Sequence, residues 1–417
     1  MRGKRAFYSL ALGLVGVLVS AQLSFGAGFA LYEGSARGVA LGGTLVGRAD
    51  DPSALFYNPA GITQLPGLQI MGGATAIVPS TKVTTTVGGV GQTQETESNV
   101  WVPPHLYATY QFSDRVWFGF ATFSQFGLGT EFDPAWRGRG NSYEAVIQTA
   151  TVNPNIAFKL NDQFSLAAGL DVMWFDLTLK NKIPVPGIGE EDQSLEGDSF
   201  GYGFNFAMHY KPCPWMALGA SYRSQVKQHV EGTAKFSGPA PAALFTDTNV
   251  SGSILLPDML FLGATFYPID KFSIEVGGVW NRWSNFDKLN INYDFIGGVA
   301  NRTISREKSW HDTWRIQVGA EYKALDWLDL RAGYVFDEEP IESIHADYLV
   351  PANDRHIFSF GPGFHWNNWT LDLGYGYIHI EERTFTATPT QLAEGILDSK
   401  FHDGSAHLIS MSVGYKF

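Results

Sequence analysis

The last twelve residues of the chain alternate between apolar and polar side chains with a period of two. Ile409, Met411, Val413, Tyr415 and Phe417 fall on one face, and serine, glycine and lysine fill the positions between them. Successive side chains of a β-strand point to opposite faces of the sheet, and a strand between lipid and water needs this alternation. The C-terminus therefore predicts the closing strand of a membrane barrel.

The same alternation recurs through residues 68–417. Leu328 and Leu330, for example, alternate with Asp329 and Arg331. Counting such segments gives about fourteen strands, an even number that returns the C-terminus to the rim where the barrel begins. The polar residues that the alternation assigns to the inner face are Asp171, Arg223, Glu275, Arg315, Gln317, Glu321, Asp329, Arg331 and Asp372. The pattern predicts an all-β fold, a transmembrane antiparallel barrel whose charged lumen holds water, a plug or both.

Short turns and long connections alternate along these strands, as they do in outer-membrane barrels. Residues typical of tight turns occur at Ser113–Asp114, Asn161–Asp162, Pro212–Pro214, Asp270–Lys271, Leu325–Asp326 and Asn367–Asn368. Long polar connections are predicted at Ser80–Pro103, Gly127–Tyr143, Asn181–Asp198, Ser237–Asn249, Phe295–Ser305, Glu338–Asp354 and Thr386–Gly404.

Residues 1–26 have the features of a secretory signal peptide. Three basic residues lie within the first five, an apolar run continues through Val19, and small residues precede Ala27, the expected mature start. Val19 and Ala21 offer an earlier cleavage site. No later stretch holds 18 consecutive apolar residues, so a membrane interpretation must use strands rather than helices.

Charge and cysteine content narrow the range of functions. The chain carries a formal charge of -12, and removal of a leader with three positive and no negative charges lowers this by three, to -15. Such a charge argues against nucleic acid as a partner. The single cysteine, Cys213, excludes an intramolecular disulfide framework.

Residues 27–67 differ from the rest because they are rich in Gly, Ala, Asp and Asn and lack sustained alternation. A barrel of about fourteen strands has a lumen wider than side chains alone can fill. We therefore expect this segment to be a small helical plug, or hatch, inside the lumen. Asp50–Ser53, with its proline, is a turn or helix-start signal.

Several stretches of the chain resemble one family. In the plug segment they are Ala27–Phe29, Gly38–Gly43, Ala49–Pro52 and Asn58–Thr63, and further along they are Phe126–Arg139 and Asn153–Asn155. Together they are similar to the hatch, the third strand with its outer loop, and the fourth strand of the FadL family (OMPP1/FadL/TodX type). This family comprises outer-membrane transporters for long-chain fatty acids and other hydrophobic compounds.

The resemblance implies a fourteen-stranded barrel in the outer membrane of a Gram-negative cell. It implies passive uptake, in which the ligand is caught among the extracellular loops, the hatch changes conformation, and the ligand leaves sideways where the third strand is kinked. Long-chain fatty acids are the expected cargo. Monoaromatic hydrocarbons are the alternative, which the sequence does not separate from them.

The resemblance also suggests roles for particular residues. Those roles are the hatch motif for Asn58, Pro59 and Ala60, the ligand pocket for Phe29, the kink and lateral gate for Phe126 and Gly127, and the outer-loop ligand groove for Phe132 and Trp136. A family pocket has a basic group for the ligand carboxylate, and the inward candidates are Arg223, Arg315 and Arg331. The alternatives are simpler: a plain turn at Asn58–Pro59, a loop start at Gly127, and for each arginine an ion pair with a lumen acid.

Other functions are less well supported. Catalysis by a serine and a histidine needs both groups together, and His379 and His407 fall in outward registers near strand ends. No metal-ligand spacing occurs, and no cofactor is implied. A general porin for hydrophilic solutes suits the charged lumen but not the plug segment. The expected partners are a hydrophobic ligand (fatty acid, detergent-like or aromatic hydrocarbon), outer-membrane lipid and lipopolysaccharide, and the barrel-assembly machinery.

Overall fold

The computed structural model describes residues 28–417, so the predicted signal peptide lies outside the described residues. Twenty-one strand segments form one antiparallel sheet. They are β1 (Leu68–Val87), β2 (Val90–Glu95), β3 (Pro104–Gln111), β4 (Val116–Phe123), β5 (Gly127–Glu131), β6 (Glu144–Lys159), β7 (Phe164–Val185), β8 (Gly189–Cys213), β9 (Met216–Arg223), β10 (Val226–Ser237), β11 (Thr248–Leu256), β12 (Met259–Ile269), β13 (Phe272–Asn281), β14 (Lys288–Ile296), β15 (Val299–Glu307), β16 (Thr313–Leu325), β17 (Leu328–Asp337), β18 (Arg355–Trp366), β19 (Trp369–Ile380), β20 (Arg383–Phe385) and β21 (Asp398–Lys416).

These segments make a closed barrel of fourteen spanning strands, which confirms the predicted fold class. Five spanning strands consist of two segments each, namely β4 with β5, β9 with β10, β11 with β12, β13 with β14, and β15 with β16. Closure occurs between the first and last strands, where Gln69 of β1 lies opposite Lys416 of β21. A closed barrel leaves no sheet edge to be satisfied within the lipid.

The period-two alternation decides which side chains contact lipid. In β21, Ile409 is 58% exposed and Met411 54%, whereas Ser410 and Ser412, which alternate with them, are 3% and 1% exposed. All nine polar residues assigned to the inner face from the sequence are buried. The barrel exterior is therefore apolar and the lumen is lined by charges.

Three predicted long connections are wrong, because the chain continues as strands through much of each. Residues 80–95 of the first form the end of β1 and strand β2, a hairpin that turns at Gly88 and Gly89. Residues 181–198 form the end of the β7–β8 hairpin, which turns between Val185 and Gly189. Residues 295–305 belong to the β14–β15 hairpin, which turns at Gly297 and Gly298. Hairpins that project beyond the membrane meet water on their outer face, so they lack the alternation that marks a strand in lipid.

The N-terminal segment, residues 28–67, lies inside the barrel. It contains helix α1 (Ala36–Ala40), helix α2 (Ala54–Tyr57) and a 3-10 helix (Pro59–Gln64). Ser35 caps α1, since its hydroxyl accepts a hydrogen bond from the amide of Gly38 at 3.0 Å. Contacts to strands around the whole lumen hold this segment in place, as described below.

The other helices are short and lie in the connections between strands. They are α3 (Pro389–Ala393) and two 3-10 turns, Trp283–Asn285 and Ser343–His345. Within residues 28–417, no helix is long and apolar enough to cross a membrane.

Candidate functional site

An apolar cavity of about 90 Å³, the outer cavity, lies next to Phe29. Its walls are aliphatic side chains on the long hairpins, including Leu177 of β7, Leu195 of β8, Val230 of β10 and Ile291 of β14. These strand positions lie far from the short turns, so the outer cavity sits toward the rim that carries the long hairpins. Its lining has the apolar chemistry of a site for an apolar ligand, and its volume suits part of a long chain rather than the whole.

A larger cavity of about 460 Å³, the wall cavity, adjoins the outer cavity. Phe29, Leu128, Ile147 and Val350 line both of them. Displacement of these few side chains would join the two cavities into one continuous apolar space.

The wall cavity passes through the barrel wall. Thr149 of β6 points into the lumen and is buried, whereas its neighbours Gln148 and Ala150 point outward and are exposed. All three line the same cavity, together with the outward-facing Trp174 of β7. Because adjacent residues of a strand face opposite sides of the sheet, a cavity that touches both faces must cross the wall.

The crossing point is a break in the third spanning strand. Segment β4 ends at Phe123 and β5 begins at Gly127, and both pair with β6. Segment β4 also pairs with β3, but β5 has no ladder with β3 among the described residues. The wall between the second and third strands is therefore open beside β5.

The N-terminal segment covers part of this open edge. The amide of Leu31 donates to the carbonyl of Gln125 at 2.9 Å, and the amide of Gly127 donates to the carbonyl of Phe29 at 3.0 Å. These bonds form a one-residue bridge between Ala30 and Phe126. The segment that carries Phe29 is thus bound directly to the broken strand.

Gly127, expected at the kink of the third strand, is the first residue of β5 after the break. Its φ is not positive, and the break lies just before it, at residues 124–126. A Cβ at this position would lie 2.9 Å from Cδ1 of Leu31. The absence of a side chain on Gly127 lets Leu31 of the N-terminal segment pack closely against β5.

Phe29 lies in an aromatic cage. Its ring centroid is 4.8 Å from that of Trp283, 5.7 Å from Trp310, 6.1 Å from Phe126 and 6.3 Å from Phe286, all edge-on. Edge-to-face pairs of this kind contribute about 0.5–1.5 kcal/mol each beyond burial. The cage holds Phe29 as the partition between the outer cavity and the wall cavity.

The barrel wall binds the N-terminal segment through a carboxylate. Glu275 of β13 accepts hydrogen bonds from three consecutive amides, those of Val46 at 2.8 Å, Gly47 at 3.1 Å and Arg48 at 2.9 Å. The hydroxyl of Thr265 donates to the same carboxylate at 2.6 Å. Hydrogen bonds to a buried charge are stronger than neutral ones, so Glu275 is a principal anchor of this segment.

A buried cluster of ion pairs is the second anchor. Arg37 of α1 donates to Asp50 at 2.7 Å, Asp51 at 2.9 Å and Glu321 of β16 at 2.9 Å. Glu321 also accepts from Arg331 of β17 at 2.7 Å. Burial alone would lower the pKa of Arg37, but the carboxylates around it raise that pKa above its usual value.

Asn58, of the predicted hatch motif, is a third anchor. Its side-chain amide is buried and donates to the carbonyls of Val46 at 2.8 Å and Met208 of β8 at 3.0 Å. Its oxygen accepts from the amide of Ala60 at 3.2 Å, while Pro59 occupies the first turn of the 3-10 helix. Asn58 therefore caps a helix and binds the segment to the wall.

All three predicted carboxylate partners are in ion pairs. The pairs are Arg223 with Asp171 at 2.8 Å, Arg315 with Asp337 at 2.7 Å, and Arg331 with Asp372 at 2.5 Å. Of the three arginines, only Arg315 lines the wall cavity. Arg223 instead donates to the carbonyl of Leu55 at 2.7 Å. Arg223 and Arg331 therefore stabilise the plugged lumen.

Phe132 and Trp136 lie together but line neither of these two cavities. Their rings stack with centroids 4.2 Å apart, and both are buried. The indole of Trp136 donates to the carbonyl of Ser142 at 2.9 Å, and its ring packs on Tyr348 at 4.7 Å. The structure thus places the pair in the packed interior of the outer loops.

Some cavity residues could not be singled out from the sequence. Arg355 lines the wall cavity and donates to the carbonyl of Gly28 at 2.8 Å. Trp101 lines the same cavity, and Trp310 lines the outer one. The one available signal was the apolar triplet Val100–Val102 inside a polar connection.

A polar cavity of about 540 Å³ lies at the opposite, short-turn side of the barrel. Arg37, Asp50, Glu321, Lys323 and His365 are among its lining residues. This vestibule reaches the ion pairs that hold the N-terminal segment. Its charges make it unsuitable for an apolar molecule.

Two other features resemble reactive sites but have structural explanations. Gly197–Gly201 has Gly-x-Ser-x-Gly spacing, but Ser199 lies within strand β8 and donates to Gln228 at 2.9 Å, whereas a nucleophile elbow requires a strand-to-helix turn. Ligand atoms of Glu382, His402 and Asp403 lie within 4.8 Å of one another. Both acids of this group are salt-bridged to lysines, which reduces their attraction for a cation.

Comparison with known proteins places the chain in a family. The family model described as "Outer membrane protein transport protein (OMPP1/FadL/TodX)" matches residues 17–417. The chain belongs to the OMPP1/FadL/TodX family. It is an outer-membrane barrel of a family of transport proteins, which are not enzymes.

Individual members of the OMPP1/FadL/TodX family are similar along their whole length. The chain is 25% identical to the long-chain fatty acid transport protein of Escherichia coli O6:H1, covering 100% of both chains. A crystal structure of a Pseudomonas aeruginosa FadL homologue covers 94% of this chain and 100% of its own, with a TM-score of 0.82 and 20% identity. A crystal structure of the Pseudomonas putida toluene transporter TodX covers 95% of this chain and 100% of its own, with a TM-score of 0.72 and 19% identity. At these identities the two crystal structures support the fold alone.

Proposed function

We propose that the protein takes up hydrophobic small molecules, with long-chain fatty acids as its cargo, and releases them sideways through the barrel wall. The observation that carries this proposal is the wall cavity, which adjoins the outer cavity at Phe29 and crosses the wall beside β5. Ligand is captured in the outer cavity, moves past Phe29 and leaves at the break. No energy source is needed, because the cargo moves from one apolar environment to another.

Solvation energies favour a sideways route over a path through the lumen. Each CH₂ group kept out of water contributes about 0.8 kcal/mol. A lumen route would pass Arg37 and Glu321 and enter the charged vestibule. An acyl chain in that path would be exposed to water and charges and would lose this solvation free energy. The buried ion pairs would also have to separate. The wall cavity avoids both costs.

Passage requires the N-terminal segment to move. Phe29 separates the two cavities, and its backbone carbonyl is bound to Gly127. A ligand that displaces Phe29 therefore also disturbs the contact at the broken strand. This coupling is the hatch conformational change that we propose, with Asn58, Pro59 and Ala60 holding the remainder of the segment in place.

A carboxylate cargo is supported by the cations beside the wall cavity. Arg315 and Arg355 both line it, and Arg315 is already paired with Asp337. Arg355 donates to a neutral carbonyl, that of Gly28, and its charge also acts on the carboxyl of Glu339. We infer that Arg355 meets the ligand carboxylate, a role expected from the sequence for Arg223, Arg315 or Arg331. The name of the Escherichia coli relative points to the same class of cargo.

Monoaromatic hydrocarbons are the second candidate cargo. The specific observation in their favour is the aromatic cage of Trp283, Phe286 and Trp310 around Phe29, since aromatic rings pack well edge-on against one another. The TodX structure is described as a toluene transporter.

Uptake of oleate and of toluene in a strain that relies on this protein tests the cargo. Fatty acid transport requires faster uptake of oleate than in a strain without the protein, and slower oleate uptake for Arg355→Ala. Faster uptake of toluene with oleate uptake unchanged would support the aromatic alternative.

The porin alternative has its own test. Deletion of residues 27–66 should raise ion conductance sharply if the N-terminal segment occludes the lumen, whereas unchanged conductance would favour an open porin.

We further infer that the apolar outer surface contacts lipid and lipopolysaccharide, and that the barrel-assembly machinery folds the chain.

A further inference from the structure

The open edge of strand β5 carries three separate contacts. At one end it meets the backbone of residues 29–31, and at the other the amide of Glu97 donates to the carbonyl of Glu131 at 2.8 Å. Between them the indole of Trp101 lies against Gly129, so closely that a Cβ built on Gly129 would be 2.1 Å from Cε2 of Trp101. The ring therefore lies flat over the backbone of β5.

The backbone of Trp101 belongs to the other side of the opening. Its amide donates to the carbonyl of Ile77 at 2.9 Å and its carbonyl accepts from the amide of Ile77 at 2.8 Å. Ile77 is part of β1, which is two strands away from β5 in the barrel. Trp101 thus has its main chain fixed on β1 and its ring on β5, across the opening that the broken strand leaves.

The indole can move without the loss of a hydrogen bond. Within the described residues its Nε1 has no hydrogen-bond partner, and the side chain is only half-buried. Rotation of the ring costs packing contacts with Gly129 but leaves both backbone bonds to Ile77 intact. The ring can therefore uncover the opening while the barrel keeps its ladders.

We propose that Trp101 narrows the opening in the barrel wall and limits the size of the molecule that passes. The inference rests on the proposed sideways release. Gly129 is the matching position on β5, because only a residue without a side chain allows the ring to lie over the strand. Both residues are specific to the exit, since Trp101 and Gly129 line the wall cavity and not the outer one.

Uptake into proteoliposomes tests the proposal with two cargoes, oleate and a fatty acid that carries a bulky polycyclic label at its tail. Trp101→Ala and Gly129→Ala are each expected to raise uptake of the bulky cargo relative to oleate by about tenfold, the effect of a barrier lowered by about 1.4 kcal/mol. Trp101→Phe, which keeps a smaller ring, should lie between them and the wild type.

Matched controls separate this effect from general damage. Trp314→Ala removes an outward tryptophan that lines neither of the two cavities. Gly91→Ala adds a Cβ that makes only an ordinary contact, 3.5 Å from Cγ2 of Thr84. Both should leave the ratio unchanged. An unchanged ratio for assembled Trp101→Ala and Gly129→Ala barrels would overturn the role of Trp101 while leaving the proposed function intact.

A measurement without cargo completes the test. With 5-fluorotryptophan incorporated, the ¹⁹F signal of Trp101 is identified by its loss in Trp101→Phe, and it should shift in Gly129→Ala but not in Gly91→Ala. An unshifted signal in Gly129→Ala would contradict the contact. A wild-type protein that moves neither cargo faster than empty liposomes would contradict the proposed function, and this inference with it.

Discussion

The carboxylate of Glu275 in the barrel wall accepts a hydrogen bond from the backbone amide of Arg48 at 2.9 Å. The amides of Val46 and Gly47 converge on the same carboxylate. Successive backbone amides that point at one anion form an anion-binding nest. The negative charge that completes this site comes from the barrel, so residues 46–48 of the segment are all bound to one wall residue.

Glu275→Gln should loosen the N-terminal segment without preventing barrel assembly. The amide side chain keeps the shape but loses the charge, and hydrogen bonds to charged groups contribute about 1.5–3 kcal/mol. We expect higher ion conductance in planar bilayers and faster cleavage of the segment by protease. Glu231→Gln, which changes an exposed glutamate of β10, is the control. Equal conductance of both variants would contradict the anchoring role.

Asn58→Ala should destabilise the N-terminal segment by about 1–3 kcal/mol, because buried carbonyls lose their donor and a helix loses its cap. Asn58→Asp separates the two roles, since it keeps the oxygen that accepts from Ala60 but removes the amide donor to Val46 and Met208. Hydrogen exchange of residues 45–64 measures the effect. Wild-type protection in both variants would show that Asn58 is only a turn residue.

Gly127→Val should lower uptake of a hydrophobic compound while the barrel still assembles. The new side chain would occupy the space of Leu31, whose Cδ1 lies 2.9 Å from a Cβ at this position. The N-terminal segment would be pushed from the broken strand, and part of the wall cavity would be filled. Gly91→Val in the exposed hairpin serves as the control. Normal uptake by Gly127→Val would remove Gly127 from the pathway.

The sequence predicted the barrel because strands between lipid and a polar lumen need apolar and polar residues to alternate with a period of two. Glu321 and Arg331 were assigned to the inner face from period two alone, and they meet there at 2.7 Å. The hairpins at residues 80–95, 181–198 and 295–305 were missed because water on their outer face imposes no such pattern. Strand count and closure therefore follow from the sequence, whereas the extent of the strands beyond the membrane does not.

The candidate site was predictable only in part. Phe29 and Gly127 were found through the family resemblance, and the structure places them in contact through a backbone hydrogen bond. Trp101 and Arg355 lie in or next to connections without periodicity, and their positions depend on how distant strands come together. Phe132 and Trp136 were expected in a ligand groove, but they pack against each other inside the outer loops. Aromatic residues in a loop are as suitable for packing as for binding, so the sequence does not separate the two roles.

The loop after β17 should be less stable at high pH. Burial raises the pKa of Glu339 from its ordinary value of 4.5 to about 7, although Arg383 and Arg355 act to lower it, while Asp354 and Asp337 raise it further. The folded loop therefore holds a proton that the unfolded loop releases. The contribution of Glu339 to stability should fall as pH rises from about 4.5 to 7, by no more than about 3.4 kcal/mol.

Hydrogen exchange of residues 338–354 at about pH 5 and pH 8, corrected for the intrinsic exchange rate, measures this dependence. Glu339→Gln should reduce it, leaving the contribution of Glu338, whose pKa burial also raises to about 7. Glu342→Gln, at an exposed position of the same loop, should leave the pH dependence unchanged. Equal protection of the wild-type loop at both pH values would contradict the assignment.

The route of the cargo is the central claim, and photocrosslinking tests it most directly. A fatty acid with a diazirine group in its chain is supplied to proteoliposomes and irradiated during uptake, and the labelled peptides are identified by mass spectrometry. Sideways release predicts label on residues 123–124, 126–130 and 147–150, which line the wall cavity. Label on Lys323, Arg331 or His365 in the charged vestibule, without label at the broken strand, would contradict it.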